Sequence, residues 1–176
     1  MTRITFVVPG LPATAGSKKI IPNKRTGRGI LVDSCKRGPK WREAVRVCFR
    51  TAYKGPPLEG AVSLTTLFCL PRPKSHYRTG KYAGMLKHDA PTAHTTKPDT
   101  TKMVRAIEDA LSTKKKKGVV IFSGAWIDDS QVTAQNNRKV YADEQYQVGA
   151  YITIRGNGIE ELKGGEQDGE ETMSRQ

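Results

Sequence analysis

Aspartates stand at two places in the second half of this sequence where carboxylates could do chemistry. Asp99 follows Lys97-Pro98 at the start of a predicted helix, and Asp128-Asp129 precedes a predicted strand. Hydrolysis of a phosphodiester at neutral pH needs an activated water and a group that stabilises charge on the phosphorus. Two or three aspartates that hold one or two Mg²⁺ ions supply both, because Mg²⁺ prefers oxygen ligands and keeps several waters. Asp99, Asp128 and Asp129 are therefore candidate ligands for Mg²⁺, with Mn²⁺ as an alternative ion, provided that they converge in space.

Each of these aspartates also has an ordinary structural interpretation. Aspartate is a favoured N-cap residue, so Asp99 could do no more than cap the helix that follows it. An Asp-Asp pair before a strand can simply form a turn. Adjacent carboxylates raise each other's pKa unless a cation compensates. The pair at 128–129 is therefore either well solvated or a cation ligand, and the residues around it must distinguish the two.

The chain is strongly basic, with a formal net charge of +13 over 176 residues. Residues 156–176 contain six acids and two bases, so this segment carries −4 and residues 1–155 carry +17. A charge of that size favours a polyanionic partner. We predict a folded domain over residues 1–155 that binds nucleic acid, followed by an acidic, disordered tail over residues 156–176.

Three basic segments are predicted to contact DNA phosphates, because lysines and arginines without neighbouring acids attract the backbone. They lie after the first strand, between residues 71 and 97, and in a lysine run after the second helix. The residues predicted to bind DNA are Lys18, Lys19, Arg72, Lys74, Arg78, His94, Lys97, Lys114 and Lys115. For His94, an ordinary loop histidine is the alternative.

Several classes of protein are disfavoured by the sequence. No apolar run approaches the roughly 20 residues of a membrane span, and the N-terminus lacks the layout of a signal peptide. Cys35, Cys48 and Cys69 are odd in number and have no CxxC spacing, which argues against a disulfide framework or a zinc ribbon. We expect a cytoplasmic protein with no membrane partner.

Hydrophobic periodicity predicts the element order β, α, β, α, β, β. This order indicates an α/β (α+β) domain with a small mixed β-sheet and two main helices. Residues 11–37 and 71–97 are predicted to be long basic loops, the first with a hairpin around residues 30–32, and 114–118 to be a flexible turn. Strands are predicted at 4–8, 61–70, 131–140 and 147–155, and helices at 39–53 and 99–112.

Two linked motifs carry a family resemblance. Residues Lys97–Leu111 read KPDTTKMVRAIEDAL, and Trp126–Val132 read WIDDSQV. Together they resemble the RusA family of Holliday junction resolvases found in phages and prophages, whose pattern is KPDxDNLxKxxxDAL followed after a variable gap by WxDDxQV. The resemblance is strong from about Pro91 to Tyr141 and looser near the N-terminus. The looser matches are Gly10-Leu11-Pro12, Gly16-Ser17-Lys18 and Trp41.

Matched by position, the resemblance implies roles for individual residues. Asp99 matches the first metal-binding aspartate of the family and Asp129 the last, with Asp128 beside it. Arg105 stands in the place of an essential lysine, whose cation would steady the scissile phosphate or the leaving oxygen. An arginine stays protonated, so it cannot act as a general base. Lys102 lies three residues earlier on the same helix face and is a second candidate for that catalytic cation.

The sequence departs from the family pattern at one position. Thr101 stands where the typical second aspartate would be, and a hydroxyl is a poor substitute for a carboxylate. Either Asp128 or another acid completes the site, or the metal is held more weakly. Asp109 also matches the motif, and its ordinary interpretation is an i,i+4 ion pair with Arg105.

The resemblance implies a Mg²⁺-dependent, homodimeric endonuclease in a bacterium or a phage-infected host. It would resolve Holliday junctions or other branched DNA by paired nicks, in recombination, repair or phage DNA processing. Thr101 keeps an alternative open, namely a RusA-like DNA-binding protein with weak or no catalysis. An RNA-binding module is a third class, but the sequence has no aromatic RNP-like strand or GXXG loop to support it.

Overall fold

A four-stranded mixed sheet lies at the centre of the computed structural model, which describes residues 2–16 and 18–156. Two α-helices pack against it, and two short hairpins and three short 3-10 helices extend from it. The strands are β1 (Arg3–Pro9), β2 (Lys18–Pro22), β3 (Gly29–Asp33), β4 (Val62–Leu70), β5 (Lys114–Lys116), β6 (Val119–Phe122), β7 (Val132–Tyr141) and β8 (Gly149–Gly156). The helices are α1 (Gly38–Ala52) and α2 (Thr100–Leu111), with 3-10 turns at Lys74–His76, Gly80–Tyr82 and Asp129–Gln131.

The strand order in the main sheet is β1-β8-β4-β7. β8 runs antiparallel to both β1 and β4, whereas β7 pairs in parallel with β4, from Val62 opposite Val132 to Leu70 opposite Tyr141. β7 and β8 follow each other in the chain, yet β4 lies between them. The predicted class, a small α+β fold with a mixed sheet, is confirmed.

Both helices bury one apolar face against this sheet. In α1, Trp41, Val45 and Phe49 recur every four residues and are buried, and the ring of Phe49 packs edge-on against Phe6 of β1 with centroids 5.9 Å apart. In α2 the fully buried residues include Met103 and Ile107. Residues four apart lie on the same side of a helix, so the predicted amphipathic pattern places these faces correctly.

The lysine run differs from the prediction. Lys114–Lys116 pair with Val119–Phe122 as a hairpin, so the prediction of a flexible turn at 114–118 is wrong. Lys117 and Gly118 form the two-residue turn, with φ values of +50° and +81°. Positive φ at both positions is the geometry that matches the twist of a tight hairpin, and glycine favours it. The hairpin expected around residues 30–32 is confirmed as β2–β3.

Gly156, which the prediction assigned to the tail, pairs with Val62 as part of β8. Residues 157–176 of the predicted acidic tail lie outside the described residues. Within the part of the chain that the structure describes, neither α-helix has the length and apolar character that crossing a membrane requires.

Candidate active site and nucleic-acid interface

A cleft of about 520 Å³ opens beside the start of α2. Its walls come from the extended segment 11–14, the turn that precedes α1, the end of β4 and the loop 94–98. Asp99 is the one acid that lines it, whereas Arg37, Lys97 and Lys102 line it with positive charge. The carboxylate of Asp99 therefore faces a cleft that is otherwise basic.

Asp99 occupies the N-cap position of α2, but its side chain makes no capping hydrogen bond. Its backbone is extended, with φ −71° and ψ 133°. Its Oδ2 instead lies 3.3 Å from Nζ of Lys102, and both side chains are about half exposed. The side chain of Asp99 therefore does not cap the helix, although the residue stands at the N-cap position. Its carboxylate has Lys102 as a counter-ion.

The loop that carries Asp99 is fixed by the C-terminal end of β7. Nζ of Lys139 donates to the backbone oxygens of Thr96 and Pro98, at 2.7 and 2.9 Å. The Lys97–Pro98 peptide bond is cis. Because Lys139 is anchored in a sheet strand, the start of α2 is held at this end of β7.

Tyr141, at the end of β7, is a second support for the same loop. The guanidinium of Arg72 lies 4.1 Å from the centroid of its ring, and the ring of His94 lies 4.6 Å away. Arg72 also donates to the backbone oxygen of Pro91 at 2.7 Å. Two residues predicted to bind DNA, Arg72 and His94, thus contact the protein itself. Burial, followed by the charge of Lys139, lowers the pKa of His94 and so favours its neutral imidazole.

The segment with the paired aspartates is fixed at the opposite end of α2. Trp126 is fully buried, and its Nε1 donates to Oγ of Ser112 at 3.0 Å. The amide of Gln131 donates to the backbone oxygens of Leu58 and Gly60, at 2.9 and 3.1 Å. The tryptophan and the glutamine of WIDDSQV therefore place the two aspartates between them.

Asp128 and Asp129 have different environments. Oδ1 of Asp128 accepts the backbone N–H of Ser130 at 3.0 Å, as part of a capping box with Gln131 around the 3-10 helix Asp129–Gln131. Hydrogen bonds from Ser130 lower the pKa of Asp128. The turn interpretation therefore describes Asp128 well. Asp129 is exposed and lies in the first position of the 3-10 helix.

Glu108 is an acidic residue of this region that the sequence interpretation missed. It is half-buried, and Nε2 of Gln135 donates to its Oε1 at 2.6 Å. Burial raises its pKa, and the negative charges of Asp129 and Asp109 raise it further. The available signal was its position, because residue 108 lies one turn from the apolar residues Val104 and Leu111 on α2.

Asp99 and Asp129 lie near opposite ends of α2. Asp129 is close enough to Glu108 for their charges to interact, and Glu108 is nine residues beyond Asp99, or about 13 Å along a helix axis. Ligands of one Mg²⁺ lie about 2.1 Å from the ion. The expected convergence of Asp99, Asp128 and Asp129 is therefore not found within this chain. Over residues 2–16 and 18–156, no three His, Cys, Asp or Glu side chains are grouped so that they could hold a metal ion.

Arg105 lies between the two ends, in a second cavity of about 400 Å³. The cavity is bounded by α1, α2 and the starts of both hairpins. Its lining residues are Ala15, Gly16, Lys18, Arg42, Arg46, Arg105, Asp109 and Lys114. Arg105 and Asp109 share this cavity, but they are not among the ion pairs that the described residues form within 4 Å. The ordinary interpretation of Asp109, an i,i+4 ion pair with Arg105, is therefore not found there.

The other predicted DNA contacts are distributed over both cavities and the surface. Lys97 lines the cleft beside Asp99, and Lys18 and Lys114 line the cavity of Arg105. The guanidinium of Arg78 lies 5.9 Å from the ring of Tyr82. Lys19, Lys74 and Lys115 are exposed.

Comparison with known proteins gives a family-level result. The family model described as endodeoxyribonuclease RusA matches residues 12–155, which is most of the chain. No individual curated protein matches this sequence. The matched range begins within the segment that lines the Asp99 cleft and ends within β8. It includes both aspartate positions and every residue that lines the two cavities except Leu11. The chain belongs to the RusA family of endodeoxyribonucleases, enzymes that resolve Holliday junctions and act on branched DNA.

Proposed function

We propose that this protein is a Mg²⁺-dependent endonuclease that resolves four-way or other branched DNA junctions by paired nicks as a homodimer. Mn²⁺ is expected to replace Mg²⁺. The observation that carries the proposal is the carboxylate of Asp99, which makes no capping bond and faces a cleft lined by Arg37, Lys97 and Lys102. A basic cleft attracts a phosphodiester. A carboxylate within it that makes no helix-capping hydrogen bond can hold a divalent cation beside that phosphodiester.

Carboxylate oxygens, which Mg²⁺ prefers as ligands, are present at both ends of α2. This ion is commonly held by one or two carboxylates, several waters and phosphate oxygens of the substrate. Asp99 supplies one carboxylate, about half exposed, whose partner Lys102 is equally exposed and can move away when a metal ion binds. At the other end of α2, Asp129 and Glu108 supply a second pair of carboxylates. When bound, the metal would lower the pKa of a water and stabilise charge on the phosphate.

The remaining side chains have roles that follow from their charge. Lys102, once released from Asp99, can neutralise an oxygen of the scissile phosphate. Arg105 remains protonated at any relevant pH, so it can hold a phosphate but cannot remove a proton. Since Asp99 and Asp129 lie near opposite ends of α2, we assign them to two separate carboxylate positions. Asp128 is proposed as a ligand through the carboxylate oxygen that does not cap the 3-10 helix.

Substitution of each aspartate by asparagine tests the assignment. Asp99→Asn and Asp129→Asn should abolish Mg²⁺-dependent cleavage of a labelled four-way junction while leaving its binding in EDTA within about twofold. Asp128→Asn keeps an oxygen that can cap the helix and removes only the charge, so it separates capping from metal binding. Wild-type cleavage rates for Asp99→Asn or Asp129→Asn would refute the site.

A second candidate function is DNA binding without efficient cleavage. Two observations favour it: Thr101 is exposed two residues beyond Asp99 where an acid is expected, and Asp99 already has Lys102 as a counter-ion. Labelled four-way junction and linear duplex, each with and without Mg²⁺, distinguish the two functions. Symmetric nicks in the junction alone identify a resolvase, whereas junction binding without nicks identifies a passive binder.

A further inference from the structure

We propose that the cavity around Arg105 binds one phosphate group of the DNA backbone, on the same strand as the phosphate in the Asp99 cleft. We call this cavity the phosphate pocket; it is lined by Ala15, Gly16, Lys18, Arg42, Arg46, Arg105, Asp109 and Lys114. The identity of the ligand as DNA rests on the proposed function. The capacity of the pocket for a phosphate rests on its own residues.

The charge of the phosphate pocket is strongly unbalanced. Five of its lining residues are cations and one, Asp109, is an acid. Among these cations, Arg46 has an ion-pair partner in Glu43, at 3.0 Å, and Lys18 and Arg42 have contacts of their own. The cations come from β2, α1, α2 and β5, so the fold brings like charges together from four separate elements. A bound anion would relieve that repulsion.

Arg46 has a hydrogen-bond donor that the protein does not use. Its Nε is buried and has no hydrogen-bond partner, whereas its Nη1 pairs with Glu43. The guanidinium lies 5.5 Å from the centroid of Phe122, which restricts its position. A buried donor without an acceptor is costly, and a phosphate oxygen in the pocket is an acceptor of the required kind. Arginine is also the side chain whose planar group best matches phosphate.

The phosphate pocket lies next to the Asp99 cleft. Lys102 lines the cleft and Arg105 lines the pocket, and these residues are one turn apart on α2, about 4.5 Å along its axis. The segment 11–16 passes both cavities and is fixed to α2 by the hydrogen bond from Ala15 N to Lys102 O at 2.9 Å. A DNA strand that crosses the cleft can therefore place a further phosphate in the pocket.

Matched pairs of substitutions test the proposal. Arg46→Gln and Lys114→Gln each remove a lining cation. Arg50→Gln is the control for Arg46, because Arg50 lies on the same helix and over the same Phe122 ring, at 4.7 Å, but does not line the pocket. Lys54→Gln is the control for Lys114, because Lys54 is exposed, lies outside the three basic segments and lines neither cavity. All four variants lose one positive charge, so a difference within a pair reports position rather than net charge.

Junction binding is measured in EDTA at several salt concentrations, so that cleavage plays no part. The lining variants are expected to weaken binding about fivefold to tenfold and to reduce the slope of log K against log salt by about one. The controls are expected to change binding by less than twofold. Equal weakening within both pairs would overturn the proposal. Thermal unfolding checks the fold, and Lys114→Gln, on an exposed hairpin, keeps the test decisive if Arg46→Gln unfolds.

A direct probe uses inorganic phosphate with protein labelled at the arginine side chains. The Nε–H resonance of Arg46 should shift in a saturable way in wild type, and Arg50 should not. Asp109→Asn removes the one acid that lines the pocket, so this variant should bind phosphate more tightly than the wild type does. An unshifted Arg46 or weaker binding by Asp109→Asn would contradict the pocket. If phosphate binds as expected but no junction is cut with Mg²⁺, the phosphate pocket is supported and the proposed nuclease function is rejected. If junctions are cut but phosphate does not bind as expected, only the phosphate pocket is rejected.

Discussion

Replacement of Gly16 by alanine should separate the position of Arg105 from the stability of the fold. Gly16 has a φ of +89°, and a Cβ built on it would lie 3.3 Å from Cδ and 3.6 Å from Nη1 of Arg105. A methyl group there has two effects, because it strains the backbone and it moves the arginine side chain by a few tenths of an ångström.

The two effects have different sizes and different measurements. A non-glycine residue at such a φ costs about 1–2 kcal/mol, which corresponds to a fall of about 2–8 °C in Tm for a domain of this size. A charge-assisted hydrogen bond contributes about 1.5–3 kcal/mol. If the displaced arginine loses about 1 kcal/mol of its contact with a phosphate, junction binding or cleavage falls about fivefold.

Gly10→Ala is the matched control for Gly16→Ala. Gly10 has a φ of +95° in the same N-terminal region, but its Cβ would meet nothing within 4 Å. Both variants should therefore unfold at similarly reduced temperatures, measured by circular dichroism. Only Gly16→Ala should lower junction binding in EDTA and kcat/KM in Mg²⁺. Equal losses of DNA binding in the two variants would refute the argument that Gly16 leaves room for Arg105.

Three further results are expected. Thr101→Asp should hold or raise the affinity for Mg²⁺, measured as the Mg²⁺-dependent rise in Tm, and a clear loss of cleavage would show that the site is built differently. Glu108→Gln should raise the free energy of unfolding at pH 7, because burial and neighbouring acids raise the pKa of Glu108 and make its ionised form costly, while the hydrogen bond from Gln135 is kept. The gain in stability should vanish as the pH falls below the pKa of about 4.3 that a glutamate has in the unfolded chain. A gain that persisted at pH 3 would contradict this cause. Iodoacetamide should label Cys35 before Cys69. Local hydrogen bonds outweigh burial and lower the pKa of Cys35, whereas burial raises the pKa of Cys69 to about 11. Because Cys35 lines the cleft, junction DNA should protect it from labelling.

The elements of the main fold could be predicted because their signals are local. The apolar spacing of Trp41, Val45 and Phe49 specifies the buried face of α1, and that of Met103 and Ile107 specifies the buried face of α2. These patterns depend only on which residues follow each other along the chain. The class of the fold then follows from the order of the elements.

The lysine hairpin and the environment of Glu108 were missed for the same physical reason. Lys114–Lys116 has no apolar alternation, so its strand character comes from pairing with Val119–Phe122. Glu108 was attributed to no function because its environment is made by Gln135 and Asp129, which are distant in sequence. In both cases a neighbour from another element decides the local structure or the pKa.

The motif WIDDSQV illustrates how a functional pattern can consist largely of structural residues. Trp126 fixes the segment to the end of α2, Gln131 fixes it to Leu58, and Asp128 caps the short helix between them. Asp129 is the acid of the motif that makes no capping contact. A loss of activity on substitution of Trp126 or Gln131 would therefore report the placement of Asp129, and it should be accompanied by a loss of stability.

The spacing of the charged residues on α2 explains why they do not form one site. Asp99, Lys102, Arg105 and Glu108 follow each other at intervals of three residues. At 3.6 residues per turn, three residues complete about 60° less than a full turn, so each side chain in the series is displaced by about 60° around the helix from the one before it. Neighbours in this series therefore adjoin, as Asp99 and Lys102 do, but over nine residues the rotation reaches about half a turn. Asp99 accordingly lines the cleft, Arg105 the phosphate pocket, and Glu108 contacts Gln135 on β7. The helix therefore distributes its charges over two cavities and the face that meets β7 instead of gathering them around one ion.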